Sequence, residues 1–189
     1  SAASDVYKRQ AETSLDNVLH CIERYRQQAI YGKEIPYLRI YLSCTFGCKK
    51  EGFDVPYLSR IVYTVTRIVS ALRESHIYPV HADIVLADTY GYCYPDRIRN
   101  VLDMLVSLPG TKDYLAVHLH TRDGEYRDAL MECLHYEIVK YDVSLLGIGG
   151  CPNGDPRAGN LSMKHFVETA LPHELEMIQE IRSAEERMK

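Results

Sequence analysis

"YLAVHLH", residues 114–120, ends an apolar run in two histidines two positions apart. In a strand, side chains at i and i+2 share a face, so His118 and His120 point the same way with their imidazoles side by side. Two neutral imidazoles at that spacing suit one divalent cation. The plainer reading is a polar face at a strand end. The surrounding chain has to decide between them.

Outward from this stretch, two periods alternate. Upstream, Pro95 opens a helix carrying Ile98, Val101, Leu102 and Leu105. Before it, IVLAD (84–88) is a short apolar strand ending in the carboxylate of Asp88. Leu58, Ile61, Val62, Val65, Ile68, Val69 and Leu72 recur at helical spacing. YLRIYLSC (37–44) alternates, with Leu38, Ile40 and Leu42 on one face and Arg39, Tyr41 and Ser43 on the other. Leu15, Val18, Leu19 and Ile22 mark a first helix that Gly32 can stop. Downstream, Ala129, Leu130, Cys133 and Leu134 mark a helix and IVKYDVSLL (138–146) a strand. The loop LLGIGGCPNGDPRAGN (145–160) follows, then helical sequence to the end.

Strands alternating with helices predict βαβ units and a parallel sheet. The reactive residues collect where those strands end: Asp88, His118, His120, and Cys151 after the last strand. In a (β/α)8 barrel that end is the catalytic face, and in an open doubly wound sheet ligands also bind there. Four strands are half of a barrel that typically takes about 250 residues. The expected fold is therefore α/β, a partial (β/α)8 TIM barrel made of about the last four βα units.

The chain has 189 residues, 46% hydrophobic and 25% charged, with a formal charge of −4. That composition is globular, and its mild acidity argues against nucleic acid as the main partner. No apolar run approaches the roughly 18 residues of a membrane span, so no membrane partner is expected. The cysteines at 21, 44, 48, 93, 133 and 151 lack Cys-x-x-C spacing, which favours reduced thiols over a disulfide framework. Residues 1–10, SAASDVYKRQ, resemble read-through of a transposase-based sequencing adapter, since DVYKRQ is what GAT GTG TAT AAG AGA CAG encodes. They are read as an artefact to be set aside. Residues 11–189 are then the C-terminal half of a TIM-barrel catalytic domain whose targeting region is missing.

The segments YLSCTFGC-KKEG (41–52), ADTYG (87–91), LAVHLH (115–120) and LLGIGGCP…AGN (145–160) occur in the same order in hydroxymethylglutaryl-CoA lyase. The chain resembles that family over residues 12–170, most specifically in GGCP followed by GN, with the asparagine nine residues after the cysteine. The resemblance implies a metal-dependent carbon–carbon lyase of a TIM-barrel lyase and synthase superfamily, cleaving hydroxymethylglutaryl-CoA or a similar acyl-CoA to acetyl-CoA and acetoacetate. It implies His118, His120 and Asn160 as ligands of a divalent cation, Mg2+ or Mn2+. Cys151 is implied as the catalytic cysteine on a mobile loop containing Gly149, Gly150 and Gly159, and Asp88 as a group aiding proton transfer. Arg39, Tyr41, Ser43 and Thr89 fall among polar substrate-facing positions. A homo-oligomeric parent in the cytoplasm or mitochondrial matrix is implied as well. The chemistry is consistent: a cation acidifies a tertiary hydroxyl, a base takes its proton, and a thiol on a closing loop protonates the carbanion left by cleavage.

Plainer roles stand beside these. Cys151 could be a small buried apolar side chain, and Asp88 could only cap the turn at Thr89 and Gly91. Cys44, Cys48, Cys93 and Cys133 read as packing, and His76, His81, His165 and His173 as surface. Thr121 and Arg122 stand where the family has an acidic or amide residue after the second histidine. Lys49 replaces an expected proline, and RAGN (157–160) is closer to the condensing synthases, such as isopropylmalate synthase. A condensing synthase and a non-catalytic barrel relic are the alternatives. The family's first-strand Arg-Asp pair and following Glu are not in this sequence, so these residues alone are expected to be inactive. Sequencing the source DNA upstream of residue 11 should reveal a strand ending in Arg-Asp and a further βα half. A reading frame that starts at Ser1 would remove the artefact reading.

Overall fold

Four parallel strands pair in chain order: β1 (Leu38–Leu42), β2 (Ala82–Ala87), β3 (Leu115–His118) and β5 (Tyr141–Asp142). The computed structural model describes residues 2–31, 37–122, 124–152 and 154–188, with side chains for these apart from residues 2–13 and 175. Helices α1 (Ala2–Ile30), α2 (Val55–Glu74), α3 (Pro95–Val106), α4 (Tyr126–His135), α5 (Met163–Ala170) and α6 (Leu175–Arg187) each pack on the next in chain order. A doubly wound sheet reverses its strand order at a switch point. Strict sequential order with a helix after each strand is instead the wall of a barrel, and the chain forms part of one.

Local chemistry accounts for the elements. Asp54 caps α2 by accepting from Tyr57 N at 2.9 Å, and Pro56 occupies the first turn, where its missing N–H costs nothing. Pro95 opens α3 in the same way. The expected stop at Gly32 lies outside the described residues.

The two faces of the sheet differ. Ile40, Ala82, Ile84, Leu86, Leu115, Val117 and Leu119 join the core with Ile61, Val65, Leu72, Ile98, Leu102, Leu105 and Leu130 from the helices. Burying each such side chain contributes on the order of 1.5–3 kcal/mol. The alternate positions, Arg39, Tyr41, Asp83, Val85, Ala87, Ala116, His118 and Asp142, face the barrel interior. Near the amino-terminal end of that face, Lys140 Nζ reaches Asp83 Oδ1 at 2.6 Å, and Arg39 Nε lies 3.4 Å from Asp83 Oδ2. At the ends of the sheet, β1 and β5 each have one edge with no strand partner among the described residues.

Three expected strands are shorter than read, the 37–44 stretch keeping Leu38–Leu42. The 114–120 stretch divides at Leu119: Tyr114 ends a 3-10 turn, and His120 opens β4 (His120–Thr121). Strand β4 pairs antiparallel with β6 (Gly159–Asn160), returned by the glycine loop. The 138–146 stretch keeps only Tyr141–Asp142 as a ladder, followed by a single parallel bridge from Ser144 to Ser162. The physical reason is supply of partners: β5 is too short to pair with the chain beyond His118, so the loop's backbone takes over, with Leu161 N donating to Leu119 O at 3.1 Å. Among the described residues, no helix is long and apolar enough to cross a membrane.

Candidate active site at the carboxyl ends of the strands

The break at Leu119 does not separate the histidines. His118 Nε2 and His120 Nε2 lie 3.0 Å apart, the rings edge to face. Antiparallel pairing of β4 with β6 places Asn160 opposite His120. Asn160 Nδ2 donates to Ile148 O at 3.0 Å, which ties that side chain to the glycine loop. Burial and the neighbouring His118 push the His120 pKa down, against smaller opposing effects of Asp88, Thr89 and Asn160. The ring is thus neutral, with a lone pair to offer, near neutral pH.

The two ring nitrogens share a hydrogen bond across their 3.0 Å gap, and two imidazoles so close could hold one divalent cation between them. Among the described residues, no group of three His, Cys, Asp or Glu side chains could hold a metal, and Asn160, opposite His120 on β6, is the further oxygen donor the fold brings beside the pair.

Asp142 belongs to the same site, and sequence reading missed it. It is the register partner of His118 on β5. Its Oδ2 accepts from Tyr41 Oη at 2.7 Å and stands 3.3 Å from His118 Nδ1, while Oδ1 pairs with Arg39 at 2.7 Å. The Tyr41 ring meets His118 edge-on at 6.2 Å. The signal was present: Asp142 is the only carboxylate in the KYDVS strand, at the inward position of the fourth strand's carboxyl end.

The other expected residues divide. Asp88 is buried, and both its oxygens are engaged, accepting from Tyr92 N at 2.8 Å and Cys93 N at 3.1 Å. It therefore anchors the turn after β2, displaced slightly from the cap on Thr89 and Gly91 that the sequence allowed. Thr89 Oγ1 accepts from Cys44 N at 2.8 Å and ties the loops after β1 and β2 together. Ser43 is exposed in the turn after β1.

Cys151 is partly buried on the glycine loop and close to Thr89, because a Cβ on Gly154 would touch Cys151 O and Thr89 O, each at 3.1 Å. Cys44 has a left-handed backbone (φ 61°), and burial pushes its thiol pKa up, with Cys48 and Cys151 adding to the shift. His165 is not plain surface, since it stacks on Tyr126 with ring centroids 3.8 Å apart.

The loop's glycines are required by proximity. At Gly149 (φ 118°), a Cβ would fall 2.3 Å from Asn160 Nδ2. Gly150 follows in a similar conformation, and Gly159 pairs with Thr121 against the Gly147 carbonyl. The loop backbone therefore lies directly on the candidate ligand.

No protein-family model matches the chain. It is 32% identical over 160 residues to a mitochondrial hydroxymethylglutaryl-CoA lyase of Arabidopsis thaliana, an alignment covering 82% of this chain and 32% of that protein. It is 30% identical over 168 residues to the hydroxymethylglutaryl-CoA lyase YngG of Bacillus subtilis, covering 88% and 52%. The solved HMG-CoA lyase of Bacillus subtilis superposes with a TM-score of 0.64 at 28% identity, covering 90% of this chain and 55% of that one. An Acinetobacter baumannii HMG-CoA lyase, solved with coenzyme A and 3-methylmalate, shares the fold (TM-score 0.60, 22% identity, 85% and 50% covered). The chain thus spans about a third to a half of the length of these curated relatives.

Asp88→Ala should lower stability by about 1–3 kcal/mol, because it strands two backbone donors that are shielded from water. Asp88→Asn, which keeps an acceptor, should recover part of the loss. Urea unfolding followed by circular dichroism measures both, and an unchanged midpoint in Asp88→Ala would remove the anchoring role.

Proposed function

We propose that this chain, a homologue of the hydroxymethylglutaryl-CoA lyases over most of its length, carries the metal and cysteine portion of a lyase site. That site cleaves hydroxymethylglutaryl-CoA, or a close 3-hydroxy-acyl-CoA, to acetyl-CoA and acetoacetate. The observation that supports it best is the convergence of His118, His120 and Asn160 beneath the loop that bears Cys151. His118, His120 and Asn160 would hold a divalent cation, Mg2+ or Mn2+, which when bound polarises the substrate's hydroxyl and carboxylate oxygens.

The chain's own groups support this chemistry, one of them as the proton donor. The Asp142 carboxylate, held by Arg39 and Tyr41, stands 3.3 Å from His118 Nδ1 and sets negative charge behind that ring. Asp88 sustains the turn beside His120 by holding Tyr92 N and Cys93 N, and the Cys93 thiol in turn donates to His120 O at 3.3 Å. Cleavage breaks the carbon–carbon bond next to the hydroxyl-bearing carbon as a base takes the hydroxyl proton. The bonding pair stays on the acetyl carbon, and the Cys151 thiol protonates it. The glycine loop excludes water that would otherwise quench this carbanion.

The relatives are named as both mitochondrial and cytoplasmic enzymes. Since the Arabidopsis and Bacillus relatives are both lyases, a condensing synthase is not favoured. The relative solved with coenzyme A supports an acyl-CoA as the substrate class.

Two measurements test the reading. Titration of the chain with Mn2+ should give binding that His118→Ala and His120→Ala each weaken at least tenfold. In the reading frame extended upstream of residue 11, Cys151→Ala should cut acetoacetate formation from hydroxymethylglutaryl-CoA by about 10²–10⁴-fold. Full turnover without the thiol would overturn the lyase assignment.

A further inference from the structure

Arg122, the second residue after His120, does not point at the histidines. It turns to the glycine loop. Arg122 Nε and Nη2 approach Asp155 Oδ2 at 3.0 and 2.9 Å, and both side chains are only 15% exposed. Arg122 is itself held in place. Its Nη1 donates to Glu125 Oε2 at 2.6 Å, Nη2 lies 3.5 Å from Tyr94 Oη, and the guanidinium lies over the Tyr94 ring at 5.8 Å. On the loop side, Asp155 Oδ1 accepts from Arg157 N at 2.9 Å and Nε at 3.1 Å, and Oδ2 from Arg157 Nη2 at 2.9 Å.

Two further contacts converge on the same point. Asp155 N donates to Tyr90 O at 3.2 Å. Ala158 packs against Gly91 so closely that a Cβ at Gly91 would lie 2.8 Å from the Ala158 Cβ. The loop is therefore fastened across its middle to the turns after β2 and β4. Cys151 lies on one side of that point and Asn160 on the other.

We propose that the Arg122–Asp155 pair is a latch that holds the cysteine loop down on the histidine pair, making Arg122 and Asp155 positioning residues for Cys151 and Asn160. The latch is a property of the loop. It rests on the lyase reading only for what the loop covers. Arg122 is fixed to the barrel wall and Asp155 to the loop, so breaking their contact frees the loop without removing any group that would meet substrate.

The test reads loop opening directly, with no metal or substrate present. The 189-residue chain is treated with iodoacetamide, and modification of each cysteine is followed by peptide mass spectrometry. Arg122→Gln and Asp155→Asn should each speed alkylation of Cys151 about tenfold, the factor carried by one charge-assisted hydrogen bond. The double variant should be no faster than the quicker single one, because both break the same contact. Arg157→Gln, which removes a bond made within the loop, should change the rate less than twofold. Buried Cys93 and Cys133 should stay unreactive throughout and so report an intact fold.

If a variant exposes those two thiols, Arg122→Lys takes its place: it keeps the charge but loses the forked contact, and should still speed Cys151 alkylation several-fold. Unchanged Cys151 rates in the single variants, or effects that multiply in the double variant, overturn the latch, and so does an unchanged rate in Arg122→Lys. Altered rates in a chain that binds no Mn2+ would sustain the latch and count against the lyase reading. Mn2+ binding with unaltered rates would do the reverse.

Discussion

Each strand of the sheet serves two surfaces, and the period of two along a strand is what lets it do so. Leu115, Val117 and Leu119 enter the core, while Ala116 and His118 face the barrel interior. Placing two imidazoles on one side thus obliges the intervening residue to be apolar and buried, and Leu119 is. A shift of one residue in register would put Leu119 where the site is and the histidines among leucines and isoleucines. The apolar residues of α2, α3 and α4 therefore do more than stabilise the fold. By demanding one face of β2 and β3, they assign the other face to chemistry.

That assignment holds only while the backbone has partners. Past His118 the parallel ladder ends, because β5 is two residues long. The chain would present unsatisfied carbonyl and amide groups there unless something returned to meet them. The glycine loop returns, and its partner in the resulting short antiparallel pair is the segment carrying His120. One backbone pairing thus gives the chain past His118 its partners and brings Asn160 opposite His120. The positive φ angles and close contacts at Gly147, Gly149 and Gly150 are what that geometry requires.

Much of this could be read from residues alone, and the limits are physical. Helices α2 and α3 have long apolar stripes and proline at their starts, so period and punctuation agree. Strand β1 alternates cleanly because only one face is buried. His118, His120, Asn160 and Cys151 carry side chains with specific chemistry at strand ends and in a glycine loop, and the structure brings the first three together around one point. Asp142 went unread because a lone carboxylate in a short strand has no local partner; its partners Arg39 and Tyr41 lie about a hundred residues away. The β4–β6 pair was hidden for a related reason. Two-residue strands carry no period, and their pairing follows from where the loop comes back. Asp88 could be placed at a strand end, but not its two backbone bonds, which depend on the path of residues 89–93.

Arg122 raises a final electrostatic question. A guanidinium two residues from His120 would work against a cation bound beside that ring, since like charges a few ångströms apart in a partly buried setting repel strongly. In this chain the charge is met by the carboxylates of Asp155 and Glu125 within hydrogen-bonding distance, and by the face of Tyr94. The contact holds Asp155 ionised well below the ordinary carboxylate range, with Arg157 contributing most. Arg122 together with Asp155 and Glu125 is no more positive than an acidic residue paired with one cation. An arginine this close to His120 is thus compatible with a cation at that ring only when the loop supplies the acid. That dependence links the identity of residue 122 to residue 155 across 33 positions of sequence, and to the closed position of the loop.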